Sequence, residues 1–113
     1  MILTGETKLD FERWLHSNDV LIKDGIYDDT YLTDVFDKLP LNLQYASIIE
    51  WFDSVGIYIS INYVDFYDEL RNNTGFETYV TNKGLSVKFR SVSSRQDAIK
   101  QAIEKANEIY NSK

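Results

Sequence analysis

Between residues 41 and 63 the apolar side chains change their period from 3.6 to 2. Leu41, Tyr45, Ile48, Ile49, Phe52 and Val55 fall at helical spacings, with Pro40 suited to the first turn and Gly56 to a left-handed cap. Immediately afterwards Ile57, Ile59, Ile61 and Tyr63 alternate with Tyr58, Ser60 and Asn62. That alternation predicts a strand with one buried and one wet face. A polar connection over 65–75 leads to a second strand at 76–81. Asn82, Lys83 and Gly84 turn the chain into a third strand at 85–92, where Leu85, Val87 and Phe89 point one way. Ser93 or Ser94 caps a final helix with Ala98, Ile99, Ala102, Ile103, Ala106, Ile109 and Tyr110 on its apolar side. Strands with one apolar face each require helices against that face alone, so the expected class is α+β: N-terminal helices, a three-stranded antiparallel meander and a long C-terminal helix packed on one sheet face. An edge strand at 57–63 or 76–81 would allow pairing between chains. The sequence leaves the oligomeric state open.

Ahead of this α-β-β-β-α core, residues 39–113, lies a helical N-terminal extension, 1–38. Thr7 can cap a first helix, with Asp10 adding negative charge to its first turn and Phe11, Trp14 and Leu15 forming a narrow apolar stripe. Residues 19–27 read as a structured loop, with a short hairpin as the alternative. Tyr31, Leu32, Val35, Phe36 and Leu39 predict a short helix over 29–39. No repeat or linker divides the 113 residues, so one domain is expected. Its core should include Trp14, Trp51, Phe52, Ile59, Phe89 and Ile103, and an Ile59→Asp substitution should unfold it.

Several function classes are excluded by what the chain lacks. There is no cysteine, and His16 is the single histidine, so thiolate metal sites, cysteine nucleophiles and sites needing two imidazoles are ruled out. No glycine-rich phosphate loop, two-histidine metal motif or nucleophile elbow is present. Hence no catalytic residue, no cofactor and no metal site is assigned, and an enzyme is not expected. No apolar run approaches the roughly 20 residues that span a bilayer, and the N-terminus has no secretory pattern, so a cytoplasmic location is the expectation.

The net charge of −6 is unevenly spread: residues 1–69 carry −10 and residues 70–113 carry +4. The plain interpretation is two solvated faces; the sharper one is a bipolar surface that steers an oppositely charged partner. Asp24, Tyr27, Asp28, Asp29, Tyr31 and Asp34 combine acids with aromatic anchors in a poorly periodic segment, which suits a protein partner with a basic surface. A related idea is an acidic inhibitor that imitates DNA phosphates. The alternative is nucleic-acid binding through the outer sheet face, where Tyr58 and Tyr79 near Lys88 and Arg90 would form a stacking platform for single strands. A plainer role for the same residues is cross-strand pairing of Glu77 with Lys88 or Arg90.

From Pro40 onward the element order resembles the double-stranded RNA-binding domain. Its phosphate-gripping helix start is represented here by only Arg95 and Lys100, with Asp97 between them, and Asp65, Asp68 and Glu69 would repel a duplex. Duplex RNA is therefore not an expected partner. Leu39-Pro40-Leu41-Asn42-Leu43-Gln44-Tyr45, Trp51-Phe52-Asp53-Ser54-Val55-Gly56-Ile57 and Ser94-Arg95-Gln96-Asp97-Ala98 look like small proteins from phages and mobile elements of gut bacteria, over roughly residues 39–112. That resemblance implies the fold and an intracellular phage setting, and it transfers no site residue.

Overall fold

The computed structural model describes residues 1–17, 36–68, 71–91 and 94–113. Helix α1 spans Gly5–Ser17, α2 Leu41–Ser54 and α3 Arg95–Asn111; strands β1 (Ile57–Asp68), β2 (Arg71–Asn82) and β3 (Leu85–Ser91) lie between α2 and α3. The strands form one antiparallel sheet in the order β1-β2-β3. The α+β class and the order of these six elements are as the periodicity predicts.

Each helix boundary has a local cause. Pro40 is the N-cap of α2 rather than a first-turn residue: its backbone is extended (φ −52°, ψ 144°), and its carbonyl accepts the Leu43 and Gln44 N–H groups. After α2, Gly56 takes φ +85°, a left-handed turn that costs a residue without Cβ little, and β1 starts at the next position. Ser94 is the cap of α3, its hydroxyl accepting Asp97 N–H at 3.1 Å.

Thr7 is not the cap of α1. The helix begins at Gly5, and the Thr7 N–H is accepted by Asn111 Oδ1 of α3 at 3.1 Å. Asn111 Nδ2 in turn donates to the Thr4 carbonyl at 3.0 Å, and Asn107 Oδ1 accepts Thr4 N–H at 3.1 Å. A cap supplied from the far end of the chain welds α1 to α3.

The strands are longer than the alternation predicts. The described residues of the expected polar connection over 65–75 are instead ladder: Val64↔Gly75, Asp65↔Thr74, Phe66↔Asn73, Tyr67↔Asn72 and Asp68↔Arg71. Val64, Phe66, Tyr67 and Thr74 are residue types that favour extended backbone, and a ladder can continue through polar positions because its bonds are backbone bonds. Since β3 pairs only with residues 76–82, this part of the β1–β2 hairpin extends past the three-stranded sheet as a two-stranded arm. The longest dimension of the molecule is 57 Å against 18 Å for the shortest. Residues 76–81 belong to the central strand, so of the two expected edges only 57–63 is one.

α2 packs on β1, and α3 on all three strands, on the same side of the sheet, while α1 packs against α2 and α3. The core contains Leu3, Phe11, Leu15, Phe36, Tyr45, Ile48, Trp51, Phe52, Ile57, Val80, Ala102, Ile103 and Ala106. Its centre is aromatic: the Trp51 ring meets Phe11 at 5.8 Å, Phe52 at 4.9 Å and Tyr110 at 5.0 Å, and Phe11 meets Phe36 edge-on at 5.2 Å. Trp51, Phe52 and Ile103 are buried as expected. Trp14, Ile59 and Phe89 only flank the core, Ile59 and Phe89 because they sit on the two outer strands. Leu85 has the predicted parity yet is 78% exposed, at the end of the sheet where β2 turns into β3. The helix expected over 29–39 falls mostly outside the described residues.

Candidate functional site

Because β-strand side chains alternate, the register decides what the helix-free face displays. Three rows cross it: Tyr58–Thr81–Ser86, Ser60–Tyr79–Lys88 and Asn62–Glu77–Arg90. The opposite parity carries Ile57, Val80 and Thr78, all buried, towards the helices. The four residues expected to share a platform, Tyr58, Tyr79, Lys88 and Arg90, are thus on one face. Tyr58 is 56% exposed, and Lys88 and Arg90 are exposed as well.

Glu77 organises this face. Its Oε1 lies 2.7 Å from Lys88 Nζ and 3.5 Å from Arg90 Nε, while Oε2 accepts the Tyr79 hydroxyl at 3.3 Å. Lys88 Nζ also stands 5.9 Å from the centre of the Tyr79 ring. The short bond to Lys88 holds the Glu77 carboxyl below the usual glutamate range, and the same bond raises Lys88 above the usual lysine value. Cross-strand ion pairing of Glu77 with both bases is therefore present. One row over, the hydroxyls of Thr81 and Ser86 are 2.8 Å apart. The face presents phenol, hydroxyl and amide groups around a paired charge cluster, an arrangement that can dock another surface.

A second aromatic cluster escaped the sequence reading. On the helix-side parity, Tyr63 stacks edge-on with its cross-strand neighbour Phe76 at 5.5 Å, and the Arg95 guanidinium lies 5.3 Å from the Phe76 ring. Tyr63 is nonetheless 60% exposed. Only the strand register, joined to the start of α3, reveals this grouping.

A groove of about 490 Å³ runs beside β3 and α3, lined by Phe89, Gln101, Glu104, Lys105, Asn107 and Glu108. Lys105 and Glu108, three residues apart on α3, are paired at 3.2 Å in its lining. Among the described residues no group of three histidine, cysteine or acidic side chains is placed to hold a metal ion, and no helix is long and apolar enough to cross a membrane. Asp24, Tyr27, Asp28, Asp29, Tyr31 and Asp34 lie outside the described residues. Comparison with protein-family models, curated proteins and solved structures finds no match to this chain.

Proposed function

We propose that this chain is a small binding module that docks a protein partner on the outer face of its sheet. The observation that carries the proposal is Glu77 Oε1 at 2.7 Å from Lys88 Nζ. A platform for single-stranded nucleic acid needs bases turned towards phosphate and tyrosines offered for stacking. Here a carboxylate sits between Lys88 and Arg90 and takes the Tyr79 hydroxyl, so an incoming phosphate meets fixed negative charge. Tyrosine and arginine among small hydroxyl and amide groups are, by contrast, the residue types that anchor protein interfaces. The −10 carried by residues 1–69 would steer a partner with a basic surface. The proposal keeps the intracellular phage or mobile-element setting that the resemblance of residues 39–112 implies.

Partner class is tested by fluorescence anisotropy of a labelled oligothymidylate at low salt. The wild-type chain should leave the oligonucleotide free. E77Q, which takes the carboxylate charge away from Lys88, should gain binding whose log affinity falls against log salt with a slope of about −0.7, for one phosphate on a single strand. Salt-sensitive binding by the wild-type chain would overturn the protein reading in favour of nucleic acid.

A further inference from the structure

The outer edge of β1 faces no strand among the described residues, and the first part of the strand carries none of the sequence devices that guard such an edge. Residues 57–64 contain no charge, no proline and no glycine, and β1 pairs with β2 through twelve consecutive positions without a bulge. β3, the other edge, does carry guards in Lys88 and Arg90. Tyr58 and Tyr63, one on each face of β1, are both more than half exposed.

We infer that β1 pairs with β1 of a second copy of this chain, antiparallel, about a two-fold axis perpendicular to the sheet. Residues opposite one another in such a pair must share a face, so odd positions meet odd and even meet even. With the axis at Ser60, Ser60 faces its own counterpart, Ile59 faces the partner's Ile61, Tyr58 faces the partner's Asn62 and Ile57 faces the partner's Tyr63. Apolar positions meet apolar ones on the helix side, hydroxyl and amide positions meet on the open side, and no charge enters the seven-residue seam. The first acid, Asp65, lies beyond it. Over residues 57–63 both hydrogen-bonding edges of the strand are then satisfied, and the sheet becomes six-stranded with one continuous outer face.

The charge balance adds a signature. Each copy carries −6, and α2 and β1 together contain Glu50, Asp53, Asp65 and Asp68 with no base. Association therefore works against like-charge repulsion, and added salt should tighten the dimer by screening it.

Sedimentation equilibrium of the full chain tests the inference. The wild type should approach twice 13.2 kDa as concentration rises, and at lower concentration in high salt. Ser60→Lys places two like charges directly opposite each other at the axis and should weaken the dimer about tenfold or more while the chain stays folded by circular dichroism. Ser86→Lys, on the same face but on β3, should leave the dimer intact. If Ser60→Lys fails to fold, Ser60→Glu, which sets two carboxylates at the same axis, serves in its place. A wild type that remains monomeric throughout, or a folded Ser60→Lys or Ser60→Glu that dimerises like the wild type, would overturn the inference.

Discussion

Asn111 Oδ1 accepts the backbone N–H of Thr7 at 3.1 Å, across 104 positions of sequence, so the last helix supplies the cap that the first helix does not make for itself. The approach is close enough to select the residue at position 5. Gly5 has φ +60°, and a Cβ there would lie 2.9 Å from the same Asn111 oxygen. Asn111→Ala should cost about 1 kcal/mol, the usual worth of a cap, or about 4 °C in Tm. Gly5→Ala should cost at least as much, from its backbone strain and the contact. In the Asn111→Ala background the contact vanishes, so the Gly5→Ala penalty should shrink. A thermal double-mutant cycle reads this coupling directly.

Tyr110 donates its hydroxyl to Asp10 Oδ2 at 2.6 Å, again between α3 and α1. This bond, together with burial, pushes the phenol up to about 12 from 10.0. The neutral form is the one stabilised, so the contribution is complete below pH 10 and is lost as pH rises towards 12. Denaturant midpoints of the wild type and Tyr110→Phe should differ at pH 8 and converge across that alkaline window.

The Glu77 cluster titrates at the other end of the scale. Its carboxyl is held below its ordinary value by the bond to Lys88, so the stabilisation it brings is present above the ordinary glutamate range and lost as pH falls through the lowered value. E77Q should therefore be less stable than the wild type at pH 7, by a small amount because the pair is on the surface, and indistinguishable from it in strong acid. Matched thermal melts down the acid range check the prediction.

Strand order decides which apolar-to-acid substitution is worst. Val80 is fully buried at the centre of the sheet, between Ile59 and Val87, whereas Ile59 sits on an edge strand and is only partly buried. Val80→Asp buries an unpaired charge, should cost more than about 4 kcal/mol and should leave the chain unfolded by circular dichroism at 25 °C. In the monomer, at concentrations too low for β1 to pair with a second copy, Ile59→Asp should destabilise distinctly less and leave the chain folded, contrary to the expectation from its alternation, because the edge lets its carboxylate reach water.

These cases show why some of the molecule was legible in the sequence. Helix α2 and the first half of β1 are plain because period is a local property, visible over a dozen residues. Parity alone brought Tyr58, Tyr79, Lys88 and Arg90 to one face. Parity does not say what neutralises them, and the dominance of Glu77 depends on the register between β2 and β3. The length of the hairpin was hidden because residues 65–75 carry the polar composition of a loop, whereas the ladder is held by backbone groups that composition does not report. Edge or centre is a matter of strand order, which no single strand displays; hence the equal standing of 57–63 and 76–81. The cap that Asn111 makes is a contact between sequence ends, and no capping motif near Thr7 points to it.

Engagement of a protein by the helix-free sheet face is decided by placing a photoreactive phenylalanine analogue at position 58, and in a parallel sample at position 50 on α2, then irradiating each in cell extract. The expected result is a covalent adduct at position 58 to a protein other than a second copy of this chain, destroyed by protease and left intact by nuclease, with none at position 50. A nuclease-sensitive adduct at 58, an adduct there to a second copy alone, or adducts at 50 alone, would contradict it.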